Sequence, residues 1–253
     1  MPGQVMKRLA HRGARAPRAV VLGEIARTGE IVSRLSCART AEILTSRALA
    51  DVIIMWHPDP ATVRDVALWA VRTCPHTAIV IAAPDGLALC REAARASGLS
   101  PALILPTGGI PHSSMEARRL AARIDVSVRQ VFVPVIGGGE PAVISTIHRY
   151  ATVAGIAVDA MDDPGPSDWP SQVSTRAPGE EALISATVTL ARAVLEDKRQ
   201  VLCCGAWIEG AWGISGAFVI APVPVGASGA GEPLPMTLTL EQQALLQRSA
   251  IFV

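Results

Sequence analysis

Short β-branched apolar runs alternate along the first half of the chain with Ala-, Arg- and Glu-rich stretches of helical period. This alternation is typical of βαβ units and predicts an α/β fold with a parallel sheet. The clearest helix is Ala61–Arg72, because Val63, Val66, Ala67 and Ala70 fall on one of its faces. The elements predicted here are the strands Ala19–Leu22, Asp51–Met55, Thr77–Ala82 and Leu103–Leu105, and the helices Gly29–Leu35, Ala61–Arg72 and Asp85–Ser97.

The pattern changes after Thr107, and we expect a second domain to begin there. Its first helix carries several arginines, and a Gly-rich turn at 137–139 follows an apolar strand. Four prolines within Asp162–Pro178 predict an irregular crossover. The other elements predicted in this half are the strands Val131–Ile136, Val201–Gly205 and Ala217–Val225, the helices Ser113–Arg123, Glu180–Asp197 and Thr239–Ser249 with Thr239 as N-cap, and a hairpin tip at Ser228–Gly231. The expected division is a basic tail over 1–18, a first domain over 19–106 and a second over 107–253.

Composition and charge exclude several classes of protein. Half of the residues are hydrophobic, which is enough for a sizeable core, and the mean hydropathy is +0.35. The chain has 23 Lys and Arg residues and 22 Asp and Glu residues, which gives a formal net charge of +1. This net charge is too small to attract nucleic acid or an anionic membrane by itself. The longest apolar runs have strand length and fall short of the roughly 20 residues of a spanning helix. We therefore expect a soluble protein with no nucleic-acid or membrane partner.

The cysteines and the first residues of the chain bear on its location. The five cysteines, at 37, 74, 90, 203 and 204, contain no C-x-x-C pair, which favours a reduced cytoplasmic setting. The first 18 residues carry five basic side chains, no acid and no apolar core, so a secretory signal is not indicated. This basic segment predicts either a frayed tail or a transit peptide, and the latter would place the protein in an organelle matrix. No group of residues has metal-ligand spacing, so no metal is expected.

Several segments resemble the lactate/malate dehydrogenase family, and those of the second half resemble its catalytic domain most closely. They are Thr107–Gly155, Glu196–Cys204, Trp207–Ile214, Phe218–Gly226 and Leu238–Gln243. The resemblance extends from Ala19 to the C-terminus and implies a shortened Rossmann-type parallel-sheet domain followed by an α+β domain that binds substrate. It also implies a helix at Arg149–Ile156. The family transfers hydride between a 2-hydroxy acid and a nicotinamide cofactor.

The side chains that this chemistry needs are missing from the positions that match the family. Gly139 stands at the position of the acid/base His. His112 and Met115 stand where the family has the Asp that orients that His and the Arg that holds the substrate carboxylate. Ala83 replaces an Asn that contacts the nicotinamide. The segment Trp56–Ala61 leads almost directly into a helix, so the mobile lid is expected to be deleted.

The turn that would bind the cofactor phosphates is also altered. It keeps Gly23 and Gly29 at an unusual spacing and lacks the middle glycine that allows the backbone to approach a pyrophosphate. Glu24 in this turn would repel phosphate. Glu42, which lies 19 residues after Gly23, is the candidate for the ribose-binding acid. NAD is the cofactor expected, if one is bound.

Two functions remain open. In the first, the chain is a catalytically degenerate relative, a pseudoenzyme, that acts as a structural or regulatory partner in a homo-oligomer or beside an active paralogue. In the second, it is an NAD-dependent 2-hydroxy-acid oxidoreductase in which His112, His148, Arg118 or Arg149 has taken over the missing roles. The two domains are expected to enclose a cleft. Asp85 and Glu140 are both predicted at its mouth, and their carboxylates are expected to be solvated.

Overall fold

A parallel sheet of five strands forms the first half of the protein. The computed structural model describes residues 16–37, 41–44, 50–139, 143–161, 172–173 and 178–252. The strand order is β2-β1-β3-β4-β5, and all the pairs are parallel. The strands are β1 (Arg18–Leu22), β2 (Glu42–Ile43), β3 (Val52–Trp56), β4 (Ala78–Ala82) and β5 (Ile104–Pro106). Every residue of β3 and β4 is buried, as expected for parallel strands covered on both faces.

The helices follow the strands in the order that the apolar periodicity predicts. They are α1 (Ile25–Cys37), α2 (Pro60–Thr73), α3 (Gly86–Ser97), α4 (Ile110–Arg123), α5 (Glu180–Leu195) and α6 (Leu240–Ser249). The buried face of α2 consists of Val63, Val66, Ala67 and Ala70, which confirms the predicted stripe. Gly98 ends α3 in the left-handed conformation with φ of 67°. None of the described helices is long and apolar enough to cross a membrane.

An antiparallel sheet dominates the second half. Its main path is β11-β8-β7-β13-β12, and two short strands, β14 and β15, also pair with β13. A separate small sheet has the order β10-β9-β6. The strands are β6 (Val131–Phe132), β7 (Val135–Gly138), β8 (Val143–Thr146), β9 (Thr152–Val153), β10 (Ile156–Ala157), β11 (Gln172–Val173), β12 (Gln200–Glu209), β13 (Ser215–Gly226), β14 (Gly229–Ala230) and β15 (Ile251–Phe252). One apolar cluster connects the two halves, since it contains residues from Ala19 in β1 to Leu246 in α6.

Two predicted elements differ from the structure in kind or in continuity. The helix expected over Arg149–Ile156 is wrong, because a 3-10 turn at His148–Tyr150 is followed by the antiparallel pair β9 and β10. Ala154 and Gly155 connect these strands with φ of 51° and 85°, the two positive values that a tight hairpin turn requires. The strand expected over Val131–Ile136 is interrupted at Pro134, which has no N–H to donate to a ladder.

The closing helix α6 has the N-cap that its sequence predicts. Thr239 Oγ1 accepts a hydrogen bond from Gln242 N at 3.2 Å, and Gln242 Oε1 accepts one from Thr239 N at 3.1 Å. This reciprocal capping box satisfies two of the amides that a helix start leaves unpaired.

Replacing the cap should destabilise the protein without changing its fold. Thr239→Ala removes the hydroxyl acceptor, and we expect the free energy of unfolding to fall by about 1 kcal/mol, measured by urea denaturation. Thr239→Ser keeps the acceptor and should leave the value nearly unchanged. Equal losses in the two variants would show that the hydroxyl does not stabilise α6.

Candidate active site

Four loops converge at the carboxyl edge of the parallel sheet. They follow β1, β3, β4 and β5, whose parallel pairing brings their carboxyl ends to one edge. In open α/β sheets this edge is where ligands bind. The described residues in these loops are 23–24, 57–59, 83–85 and 107–109.

The turn after β1 is packed against the protein itself. Gly23 has φ of 139°, and a β-carbon placed on it would lie 2.8 Å from both the Cβ and the carbonyl oxygen of Trp56. Trp56 ends β3 and is only 3% exposed. Gly23 is therefore required by the close approach of β1 and β3, whatever else the turn does.

Gly29 does not belong to this turn, contrary to the Gly-rich turn that the sequence predicts. Helix α1 begins at Ile25, four residues before the predicted start, and Gly29 lies inside it. No atom lies within 4 Å of a β-carbon built on Gly29, so neither packing nor close backbone approach explains a glycine there. Only Gly23 and Glu24 separate β1 from the helix.

The position of Glu42 argues against its predicted contact with a ribose. Glu42 pairs with Arg18, the first residue of β1, and its carboxylate accepts a hydrogen bond from Arg18 Nε at 2.9 Å. Arg18 lies four residues before the carboxyl end of β1, a distance of about 13 Å at the usual rise of a strand. Glu42 is thus at the end of the sheet opposite the Gly23 turn.

The connection from β3 to α2 consists of three residues, His57, Pro58 and Asp59. Asp59 caps α2 by accepting hydrogen bonds from Thr62 N at 2.9 Å and Thr62 Oγ1 at 2.6 Å. These two bonds hold the pKa of Asp59 below its ordinary value. The structure confirms the expected short connection from strand to helix, and the Asp59 cap holds this connection in place.

The residue after β4 is Ala83, which is buried and offers only a methyl group to the sheet edge. His57 N donates to Ala82 O at 3.0 Å, so the loops after β3 and β4 are joined by main-chain bonding. Asp85, in the same loop, is exposed, as predicted for a solvated carboxylate.

Helix α4 holds the two positions that the resemblance assigns to the orienting Asp and the substrate Arg. His112 is 7% exposed, and Met115 is partly buried against the main apolar cluster. Arg118 is exposed. Six positions along a helix at about 100° per residue turn Arg118 some 120° away from His112, so the two side chains leave α4 in different directions.

Gly139 lies at the end of β7 in a conformation that suits only glycine well. Its φ is 83°, and residues with a β-carbon are strained in this region. The position therefore offers neither a titratable side chain nor a backbone suited to a histidine. Glu140, the next residue, lies outside the described residues.

Helix α4 carries a buried carboxylate, Glu116, that the sequence analysis missed. His148 lies in the 3-10 turn that follows β8 rather than on a helix. The side chain of Glu116 on α4 is fully buried, and its Oε1 accepts a hydrogen bond from Arg119 Nη1 at 2.7 Å. Burial lowers the pKa of His148, while the negative charges of Glu116 and Asp159 act to raise it.

One sequence signal could have identified Glu116. It lies four residues after His112, so both fall on one face of α4, where the neighbouring Ala117 and Leu120 are buried. An acid beside buried apolar positions predicts an interior charge with a partner. Arg149, the other substitute considered, is exposed, with its guanidinium 5.3 Å from the Tyr150 ring centroid.

Cys90, Cys203 and Cys204 are buried free thiols. Burial raises the pKa of Cys203 to about 11 and raises the pKa values of Cys90 and Cys204 well above the ordinary value. Such thiols stay protonated and poorly nucleophilic. No group of three or more His, Cys, Asp or Glu residues within the described ranges could hold a metal ion.

Comparisons with known proteins agree with this architecture. No family model matches the chain. The malate dehydrogenase of Thermomicrobium roseum is 29% identical over 201 residues, which cover 74% of this chain and 64% of that protein. The malate dehydrogenase of Salinibacter ruber is 26% identical over 190 residues, 71% of this chain and 60% of that protein. These similarities support membership of the lactate/malate dehydrogenase family.

The chain matches less than two thirds of the length of these curated relatives. Its fold nevertheless covers nearly all of a solved relative. The lactate dehydrogenase of Cryptosporidium parvum superposes with a TM-score of 0.79 at 19% identity, covering 93% of this chain and 95% of the other. The shared fold is the Rossmann-type parallel sheet with the family's C-terminal domain.

Proposed function

We propose that this chain keeps the lactate/malate dehydrogenase fold without the family's hydride-transfer chemistry, and acts as a structural or regulatory partner in an oligomer. The observation that carries the proposal is the set of side chains at the matching positions. Gly139 offers only a hydrogen where an acid/base group is needed. Met115 offers a thioether where a group that binds the substrate carboxylate is needed, and Ala83 offers a methyl group where an amide is needed. Loss of general acid/base catalysis alone costs about 10²- to 10⁴-fold in rate.

The residues at the turn after β1 fit a dinucleotide poorly. Trp56 lies against Gly23 on the side where a β-carbon would be, and Glu24 places an exposed carboxyl at the start of α1. A helix start attracts anions, so an acid there competes with a bound phosphate for the same position. Glu42 lies at the far end of the sheet. We therefore assign no step to a nicotinamide cofactor.

One observation favours the alternative, an NAD-dependent 2-hydroxy-acid oxidoreductase with rearranged residues. The negative charge of the buried Glu116 acts to raise the pKa of the partly buried His148, and a carboxylate that influences an imidazole is a feature of general acid/base sites. The missing substrate Arg has no equally placed replacement among the described residues, since Arg118 points away from His112 and Arg149 is exposed over Tyr150.

A cofactor titration separates the two functions. We expect no saturable change in tryptophan fluorescence or melting temperature up to about 1 mM NADH, and no NADH oxidation with oxaloacetate or pyruvate, because KM values of enzymes usually lie below about 1 mM. Trp56, beside the turn, makes fluorescence a local reporter. An active malate dehydrogenase serves as the positive control. Saturable binding with turnover would contradict the proposal, and loss of that turnover in His148→Gln would establish the alternative.

The oligomeric part of the proposal is tested separately by sedimentation. One chain has a mass of 26.4 kDa, so a homo-oligomer is expected at 53 kDa or a higher multiple, obtained by doubling that mass. Co-expression with an active family member tests the mixed oligomer by the mass of the purified complex. A chain that stays monomeric alone and in the mixture would overturn the partner role while leaving the cofactor result intact.

A further inference from the structure

We propose that the last strand of the chain, β15, is an autoinhibitory cover: it closes an edge of β13 that otherwise accepts an extended apolar peptide. The inference does not depend on the proposed function. It rests on the register of the strands along β13, on the position of the covered edge beside the ligand-binding end of the parallel sheet, and on the short length of β15.

Strand β13 has one long partner and three short ones. Its pairing with β12 extends over Ser215–Val225 and occupies one of its two edges. The other edge is paired in three pieces, with β14 at 225–226, with β7 at Ile220 and with β15 at 217–218. Within the part of the chain that the structure describes, β15 is therefore the only partner of this edge at its 217–218 end.

β15 takes the place on β13 that a longer β7 would reach. Gly137 of β7 pairs with Ile220 of β13. Continuing this antiparallel register by two residues would set Gly139 opposite Phe218, but Ile251 of β15 pairs with Phe218. β15 thus adds a strand to the edge that β7 leaves, which is how extended peptides add to a sheet.

The covered edge lies at the end of the parallel sheet where open α/β folds bind ligands. Gly205 of β12 packs so closely on Pro106, the last residue of β5, that a β-carbon would run into it. Gly229 of β14 lies against Ala102, which precedes β5. The β12–β13 pair therefore runs alongside β5 towards its carboxyl end, and residues 217–218 lie further along in the same direction. Cα atoms of β15 come within 8 Å of those of α3, the helix that begins at this edge.

The end of α6 provides a hinge for the cover. Helix α6 is anchored by its buried Leu245 and Leu246 and ends at Ser249. Ser249 rests on β7, because a β-carbon on Gly138 would run into its carbonyl oxygen. The next residue, Ala250, is already extended, with φ of −64° and ψ of 134°. The helix can therefore stay docked while β15 leaves β13.

The opened edge would present main-chain groups to another strand. β15 pairs through two residues only, and short terminal elements open locally at lower free energy than the whole fold. Opening exposes N–H and C=O groups of β13, and such unpaired groups are a template for strand addition. Ala217 and Phe218 are buried and apolar, so the strand that fits is extended and apolar, as Ile251 and Phe252 are.

Peptide binding to an opened variant tests the proposal on the full chain. Ile251→Pro combined with Phe252→Pro removes both N–H groups of β15, whichever of them bonds to β13. The probe is a fluorescein-labelled peptide of residues 247–253, and its anisotropy measures binding. We expect saturable binding to this double-proline variant, at least about tenfold tighter than to the unmodified chain, whose own strand acts at an effective concentration on the order of millimolar.

Two controls use the same chemical change. Leu240→Pro puts proline at the first position of α6, where the N–H has no partner within the helix, and should bind peptide no better than the unmodified chain. The peptide carrying the same two substitutions as the variant should not bind the opened edge.

Amide hydrogen exchange gives a second readout. Neighbouring residues of a strand direct their N–H groups to opposite edges, so one of the amides of Ala217 and Phe218 faces β15. Its protection should fall in the double-proline variant and return when the peptide is added, while β4 stays unchanged.

Three results would overturn the cover. They are no peptide binding to the double-proline variant, equal binding to that variant and to the unmodified chain, or unchanged protection at both Ala217 and Phe218 in the variant. If the double-proline variant does not fold, a chain that ends at Ala250 replaces it with the same expectations. None of these measurements involves NADH, so their failure is distinct from a failure of the proposed function.

Discussion

Gly229→Ala is expected to destabilise the protein by about 3 kcal/mol, since overpacking costs roughly 1–3 kcal/mol and the left-handed backbone adds about 1 kcal/mol. Gly229 begins β14 with φ of 86°, and a β-carbon there would lie 1.9 Å from the carbonyl oxygen of Ala102. Ala102 belongs to the 3-10 turn that leads into β5. The substitution therefore forces apart the hairpin of the second half and the parallel sheet. Urea denaturation measures the loss of unfolding free energy.

Gly155→Ala is the matched control for this prediction. Gly155 has φ of 85°, nearly the same backbone conformation, but no atom lies within 4 Å of its β-carbon position. Only the conformational cost of about 1 kcal/mol should appear there. Equal losses at Gly155 and Gly229 would mean that the contact with Ala102 is not made in solution.

Phe218→Ala should lower the free energy of unfolding by about 3–5 kcal/mol, the usual cost of truncating a buried aromatic side chain. Phe218 is fully buried in β13 and packs edge-on against Trp207 of β12, with ring centroids 5.3 Å apart at 69°. It also pairs with Ile251 of β15. Its removal leaves a cavity where three strands meet, and chemical denaturation of the variant gives the cost.

An exposed leucine provides the comparison for Phe218. Leu240 is 86% exposed at the start of α6, so Leu240→Ala should change the unfolding free energy by no more than about 0.5 kcal/mol. A small effect at Phe218, similar to that at Leu240, would contradict the packing of β13 described above.

The layers of this fold depend on residues other than those that the family's chemistry needs. β3 and β4 are apolar throughout and buried, and Phe218 anchors the antiparallel sheet. Gly139, Met115 and Ala83 contribute to loops and helix faces at the borders of these layers. The architecture of the family therefore does not by itself require the side chains of the reaction.

Local patterns were sufficient to predict most of the first half. β3 and β4 are recognisable as continuous β-branched runs because parallel strands bury both faces. The stripe on α2, the left-handed end of α3 at Gly98 and the cap at Thr239 also depend only on residues close in sequence. The assignment of Gly139, Met115 and Ala83 to the family's site positions stays a prediction from the sequence, because it depends only on a comparison of residue types along the chain.

The tertiary structure alone decided which distant residues meet. The sequence spacing that made Glu42 a ribose candidate says nothing about strand register, and that register places Glu42 beside Arg18. The resemblance implied a helix where consecutive positive φ values at Ala154 and Gly155 instead form a hairpin. The burial of Glu116 arises only when other elements pack on α4, where its carboxylate pairs with Arg119. Periodicity encodes which face of an element is apolar, but the partner of a buried charge is set by contacts between elements far apart in the chain.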